Sequence, residues 1–124
     1  MTKEIKIPDA NHPISVGPST VRVVARVGDA VIADTSAALT LREADYPPVY
    51  YLPVDDVAPG VLRPTTSDSY CPYKGDASYY DVVLPDGNVL ADAVWTYRDP
   101  YPAVQAIAGR VAFYPDRVQV EAEA

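Results

Sequence analysis

Residues 69–80 contain the side chains of this chain that are best suited to chemistry. They include Cys71, which is the only cysteine, Lys74, which is one of three lysines, and four of the ten tyrosines. A thiol reacts as its thiolate, and a cation three residues away favours that form. Cys71 and Lys74 are therefore candidate catalytic residues. The alternative for Cys71 is a small buried hydrophobic residue, which is the usual role of a free cysteine.

Lys74 is also a candidate for binding a ligand. Gly75 follows it, and a residue without a side chain lets a ligand approach the backbone closely. The ammonium then anchors an anionic or polar group of a small molecule. The alternative is a surface lysine whose charge pairs with Asp76 or Asp99.

Aromatic residues supply the predicted walls of a pocket. The candidate ligand-binding aromatics are Tyr51, Tyr70, Tyr80, Trp95 and Tyr97. Flat aromatic walls suit a planar or cationic ligand. Two alternatives are an ordinary core and an exposed patch that docks another protein. Asp56 is added as an acid, a base or a group that orients Lys74, against its alternative as a turn aspartate that binds neighbouring amides.

Composition and charge limit the classes of function. A chain of 124 residues, 48% of them hydrophobic, predicts one domain, placed at residues 12–121 with a loosely ordered segment 1–11. The net charge of −7 disfavours nucleic acid and anionic membranes as partners. One cysteine and one histidine, His12, predict neither a metal site nor another cofactor. No apolar run is long enough to span a bilayer and no secretion signal is visible, so a cytoplasmic protein is expected.

Proline and β-formers set the fold class. Thirteen prolines exclude long helices, and the runs between them are rich in Val, Tyr and Thr. The chain is therefore predicted to be mainly β, with at most one short helix, at 103–108. The predicted strands are 21–27, 30–34, 38–42, 49–52, 78–84, 89–97, 110–114 and 117–121.

An Asp-Gly dipeptide predicts a hairpin between strands 78–84 and 89–97. With that dipeptide as a two-residue tip, Tyr80 lies opposite Ala93 and therefore shares an inward face with Trp95. The cysteine and lysine then lie at the open end of this aromatic face.

Several motifs resemble the domain of unknown function 427 family over about residues 12–118. They are Tyr50-Tyr51-Leu52-Pro53, Cys71-Pro72-Tyr73-Lys74-Gly75-Asp76-Ala77, Ala93-Val94-Trp95-Thr96-Tyr97 and Val111-Ala112-Phe113-Tyr114. The resemblance implies a β-tent fold, in which two antiparallel sheets meet at an angle. Many relatives in that class hold a structural zinc with four cysteines, which this chain must replace by core packing. Some members carry a nucleotidyltransferase label, but the glycine-serine motif and paired aspartates of that chemistry are absent here.

These features predict a small-molecule-binding β domain with an aromatic pocket and a Cys-Pro-Tyr-Lys-Gly site. A cysteine-dependent enzyme and a protein-interaction module remain the alternatives. The identity of the ligand and the oligomeric state are open at this point.

Overall fold

A computed structural model describes residues 4–123, and it confirms a mainly β, antiparallel fold. Short runs of Val, Ile, Tyr and Thr form the strands, and proline keeps the helical segments to single turns. The strands are β1 Ile14–Pro18, β2 Arg22–Val27, β3 Ala30–Thr35, β4 Leu39–Glu43, β5 Val49–Tyr51, β6 Leu62–Cys71, β7 Gly75–Val83, β8 Val89–Thr96, β9 Val111–Phe113 and β10 Gln119–Glu123. Two 3₁₀ segments, Val54–Asp56 and Pro102–Ile107, complete the described part. Within it, no helix has the length and apolar character needed to cross a membrane.

The strands form three antiparallel sheets, a finer division than the two sheets that the resemblance implies. Their orders are β1-β4-β5, β10-β2-β3 and β6-β7-β8-β9. Isolated bridges supplement the sheets: Leu52, which follows β5, pairs with Val111 of β9, and Ala33 of β3 pairs with Val57. The first of these bridges links the β1-β4-β5 sheet to the four-stranded sheet.

The four-stranded sheet is covered on both faces by apolar side chains. The first core cluster includes Val23, Ile32, Leu52, Val82, Val94, Val111 and Phe113. The second core cluster includes Leu41, Tyr51, Ala77, Tyr97, Val104, Ile107 and Ala112. Neighbouring residues of β8 and β9 enter different clusters because successive side chains of a strand point to opposite faces.

The predicted hairpin between β7 and β8 is present, but its predicted register is wrong. Its loop has three residues rather than two: the Leu84 amide donates to the Asn88 carbonyl at 2.8 Å, and Gly87 has a φ of +88°. Glycine reaches this left-handed conformation without steric cost, which allows the longer loop. The pairs next to the loop are therefore Val83 with Val89 and Val82 with Leu90, so Trp95 falls on the face of Tyr79 and not on that of Tyr80.

A bulge at Asp92 shifts the register further along the same hairpin. The pairing changes between Tyr80 and Val82, and Asp92 has a φ of +50°. The Asp92 amide donates to the Asp81 carboxylate at 2.8 Å, while its own carboxylate accepts from the hydroxyls of Thr65 and Ser67. Bulges add residues to one strand and re-aim the side chains beyond them. The shift here is two residues, so Tyr80 pairs with Val94 and Trp95 with Tyr79, and the faces set by the loop are kept. Tyr80 packs against the first core cluster and Trp95 against the second.

The sequence-based prediction missed two strands, β1 and β6. β6 contains Pro64, and its pairing with β7 is interrupted between Pro64 and Asp68. Proline is tolerated here because β6 is the edge strand of its sheet. Of the segment 1–11, residues 1–3 lie outside the described residues, and the Lys6 amide donates to the Pro72 carbonyl at 2.9 Å.

Candidate functional site

The turn between β6 and β7 brings Cys71 and Lys74 together. Cys71 pairs with Gly75 across the hairpin, and the Lys74 amide donates to the Cys71 carbonyl at 3.2 Å. Pro72 follows Cys71, and its fixed φ suits the first central position of such a turn. The two candidate catalytic side chains therefore project from one tight turn.

Gly75 is favoured at this turn by its backbone conformation, and a neighbouring loop lies in van der Waals range of it. Its φ is +110°, and a Cβ placed on it would lie 3.6 Å from the Asp99 carbonyl oxygen and 3.8 Å from the Pro100 Cα. The Tyr101 amide donates to the Lys74 carbonyl at 3.0 Å. The backbone that approaches Gly75 closely is that of residues 99–101, where the sequence predicted a ligand.

The Lys74 side chain is buried and forms an ion pair with Glu43. Its side chain is only 11% exposed, and Nζ lies 2.5 Å from the Glu43 Oε1. The same nitrogen is 3.8 Å from the Cys71 Sγ. The partner is thus a residue 31 positions away in the chain, rather than the neighbouring aspartates considered from the sequence.

Glu43 links Lys74 to the single histidine. Its second oxygen, Oε2, lies 2.7 Å from the His12 Nε2. Burial acts to raise the pKa of Glu43, but the hydrogen bonds from Lys74 and His12 outweigh it and hold the pKa below its ordinary value. The carboxylate is therefore ionised at neutral pH. When Nε2 of a neutral His12 donates to it, Nδ1 is left as an acceptor.

Aromatic rings hold His12 in place. Its ring stacks on Tyr73, with centroids 4.1 Å apart and planes 4° apart, and the edge of Tyr46 approaches at 6.5 Å. Lys6 places its Nζ 5.9 Å from the centre of the Tyr73 ring. The histidine is therefore oriented by packing as well as by Glu43.

Three of the predicted aromatics lie together beneath this charged group. Tyr51 is 1% exposed, and its hydroxyl accepts from the Trp95 Nε1 at 3.1 Å. Burial raises the pKa of Tyr51 to about 12, although the Trp95 hydrogen bond opposes the rise. Burial, together with the nearby Tyr51 and Cys71, also raises the pKa of Tyr97. Cys71, Trp95, Tyr51 and Tyr97 all belong to or pack against the second core cluster.

Tyr97 differs from Tyr51 in that its hydroxyl is unused. Among residues 4–123, no group hydrogen-bonds the Tyr97 oxygen, although the residue is only 8% exposed. This oxygen is not one of the buried polar atoms that lack a partner in the described residues, so it retains contact with solvent. It is therefore the polar group beneath the site that is most open to a new hydrogen bond.

The remaining predicted residues occupy other positions. The Tyr70 hydroxyl shares a hydrogen bond of 2.7 Å with Tyr101 and also donates to the Glu4 carbonyl. Tyr80 is on the opposite face of the sheet, against the first core cluster. Asp56 accepts from the Thr35 hydroxyl at 2.7 Å and lines a separate cavity. Tyr70 is thus near the cysteine–lysine turn, and Tyr80 and Asp56 are not brought to it.

Sequence reasoning missed Glu43 and gave His12 no role. A signal for Glu43 was available, because alternation along β4 places it on the same face as Leu39 and Leu41, which pack into the second core cluster. A carboxylate that continues an apolar face requires a buried partner. No comparable signal existed for His12, which precedes the first strand.

The cysteine–lysine turn lines none of the main cavities of the described residues and belongs to no group of metal ligands there. Five surface cavities of 210–460 Å³ are present, and none of these five is lined by Cys71 or Lys74. Across residues 4–123, no three His, Cys, Asp or Glu side chains are grouped as metal ligands. The site is therefore a partly exposed cluster of charged, thiol and aromatic groups.

The sequence of the chain matches a model of one protein family. The model described as a domain of unknown function (DUF427) matches residues 15–124. The chain therefore belongs to the DUF427 family, as its motifs indicated. No curated protein is similar enough to count as a match.

Proposed function

We propose that this member of the DUF427 family is a small-molecule-binding β domain whose ligand meets the Lys74 ammonium, with Cys71 at the edge of the site. The observation that supports it most is the buried ion pair of Lys74 and Glu43, which stands 3.8 Å from the only thiol. Aromatic rings of the second core cluster form its base.

The energetics of a buried ion pair favour a functional reason for its presence. Removing both charges from water costs several kcal/mol, and apolar side chains of similar size often replace such pairs without loss of stability. Buried and mutually perturbed ionisable groups are therefore enriched at functional sites. Here the pair is extended by His12, and the charge of Glu43 contributes to the raised pKa of Tyr97.

The net charge of the site narrows the chemical class of ligand that is expected. Glu43 neutralises Lys74, so with a neutral His12 the three side chains sum to zero charge. A neutral hydrogen-bond acceptor such as a carbonyl oxygen then matches Lys74 better than a bare anion does.

A pair of tyrosine variants tests the site with little effect on the fold. Ligand-observed NMR against a library of metabolites, each containing a carbonyl or carboxylate, should find compounds that bind the wild-type protein. Tyr97→Phe removes only the hydroxyl that makes no hydrogen bond, and we expect it to weaken the binding of these compounds. Tyr80→Phe removes a hydroxyl on the opposite face of the same sheet and serves as the matched control.

The two outcomes that contradict the proposal are distinct. One is a library in which no compound binds the wild-type protein. The other is binding that Tyr97→Phe and Tyr80→Phe weaken equally, which would place the ligand elsewhere.

The distance between the Cys71 Sγ and the Lys74 Nζ favours a second candidate function, cysteine-dependent chemistry. An ammonium at 3.8 Å stabilises a thiolate, which is the nucleophilic form. We expect iodoacetamide to alkylate Cys71 faster at pH 7 than it alkylates free cysteine. The reaction should slow in Lys74→Gln and not in Lys6→Gln, whose amine lies outside the pair. An alkylation rate in the wild type equal to that of free cysteine would indicate that Cys71 has only a structural role.

The free thiol and the net charge bear on the compartment and on the partner that we propose. A single unpaired cysteine suits a reducing compartment, so we place the protein in the cytoplasm. A net charge of −7 opposes binding to nucleic acid and to anionic membranes, which leaves a small molecule as the proposed partner.

A further inference from the structure

The outer face of the β1-β4-β5 sheet carries a polar cleft, on the side opposite the Lys74 site. Its volume is about 420 Å³, and it is lined by β1, the residues after it, β4 and Tyr50 of β5. Cavities of this size hold small molecules. Nothing in the motifs of the sequence pointed to this surface.

Strand alternation explains why the cleft is polar. Gly17 pairs with Thr40, which pairs with Tyr50, and Ser15 pairs with Arg42, so all five share one face. The residues between them, including Val16, Leu41 and Tyr51, enter the second core cluster. Glu43 follows Arg42 and points to that inner side, toward Lys74. The cleft and the Lys74 site therefore lie on opposite faces of one sheet.

Arg42 is the cation of the cleft, and it has no carboxylate partner. In the described part of the chain, Arg22, Arg26 and Arg63 each pair with an acidic side chain, whereas Arg42 is exposed and makes no ion pair or hydrogen bond. Arg98 is likewise unpaired among the described residues, but Arg42 is the arginine that lines this cleft. Its planar fork of N–H donors matches a carboxylate or a phosphate.

Hydroxyl groups and open space complete the cleft. The hydroxyls of Ser15, Thr20 and Thr40 line it and have no hydrogen-bond partner within residues 4–123. Gly17 leaves the floor open, because a Cβ added there would meet no atom within 4 Å. Tyr50 adds a flat wall on one side.

We propose that this cleft binds the oxyanion group of a small molecule, a carboxylate or a phosphate. Arg42 supplies the charge, and the hydroxyls of Ser15 and Thr40 flank it in the paired strands. The remainder of the ligand lies over Gly17 and against Tyr50. This site is independent of the proposed site at Lys74.

Titrations followed by amide NMR spectra test the proposal, with inorganic phosphate and succinate in separate arms and glycerol as a neutral control. We expect one oxyanion to shift the amide signals of residues 15–21 and 40–42 in a saturable way. Arg42→Gln should weaken this binding about tenfold or more, as expected for the loss of a charge-assisted hydrogen bond. Gly17→Val should weaken it as well, because the new side chain fills the floor, where an added Cβ meets no atom within 4 Å.

Arg98→Gln is the matched control, since Arg98 is also exposed and unpaired in the described structure but lies outside the cleft. Saturation by phosphate alone identifies a phosphate site, and saturation by succinate alone identifies a carboxylate site. The proposal is overturned if neither probe gives saturable shifts, if Arg98→Gln weakens binding as much as Arg42→Gln, or if Gly17→Val leaves the affinity unchanged.

Discussion

Two adjacent residues of β4 carry opposite charges into opposite environments. Glu43 points inward, where it is 15% exposed and bound by Lys74 and His12. Arg42 points outward into the polar cleft, where it is exposed and unpaired. The difference shows that the charge of a side chain does not by itself indicate its role. The face of the strand decides whether that charge supports the fold or remains available to a ligand.

The physical cause is the solvent around each group. A charge that is buried with its partner is left uncompensated when the partner is removed, and water cannot replace the lost interaction. A charge at the surface is already solvated, so its removal changes the stability very little. Substitutions on the two faces of the β1-β4-β5 sheet should therefore separate effects on stability from effects on binding.

The largest loss of stability is expected from Lys74→Met on the inner face. It leaves the Glu43 carboxylate buried with only His12 beside it, which should lower the free energy of unfolding by about 3 kcal/mol. Urea denaturation measures this loss. The double variant Lys74→Met with Glu43→Gln should recover much of it, because no buried charge then lacks a partner. An unchanged single variant would show that the pair is effectively solvated.

Glu43→Gln should have the next largest effect, and its effect should depend on pH. Near neutral pH it should cost about 2 kcal/mol, the usual loss for hydrogen bonds to a charged group. Because the pKa of Glu43 is lower in the folded state than its ordinary value of 4.5, its stabilisation is complete above that value and is lost as pH falls through the folded pKa. Denaturation of both proteins between neutral and acidic pH measures the difference. A difference that grows on acidification would have the wrong sign.

A smaller contrast is expected between the two tyrosines of β5. Tyr51→Phe removes the acceptor of the Trp95 N–H on the inner face, which should cost about 1 kcal/mol. The hydroxyl of Tyr50, its neighbour on the outer face, has no partner among the described residues, so Tyr50→Phe is the control. Thermal unfolding compares the two variants, and equal melting temperatures would contradict the assignment of faces.

The smallest effect on stability is expected from Arg42→Gln. The change should lie within about 0.5 kcal/mol of the wild type, because the guanidinium is exposed and unpaired. Urea denaturation under the conditions used for Lys74→Met gives a direct comparison. A loss comparable to that of Lys74→Met would place Arg42 in the supporting structure of the fold, rather than in a binding cleft.

Local patterns in the sequence predicted much of the fold. The mainly β class, the hairpin between β7 and β8 and the short helical segment near residues 103–108 all follow from short-range preferences. These features depend on residues within one turn or one strand, which is why the sequence alone indicated them.

The candidate site was predicted only in part. Cys71 and Lys74 share a tight turn, so their proximity follows from the sequence. The partner of Lys74 is 31 residues away, and no local pattern pairs them. The register of β7 and β8 depends on a bulge at Asp92, whose carboxylate is held by Thr65 and Ser67 of β6. Because β6 itself was not predicted, the bulge was also missed. The separation of Tyr80 from Trp95 was missed because the loop has three residues and not two.

The amino-acid sequence by itself determined the strands, the turns and the membership of a family, because these depend on backbone preferences and on motifs read in order. Only the tertiary structure decided which strands are neighbours and which face each side chain occupies. Pairing between distant segments depends on hydrogen bonds and burial that no single segment contains, and a shift of one residue exchanges the two faces of a strand. That is why Glu43 and Arg42, side by side in the chain, stand on opposite sides of the protein.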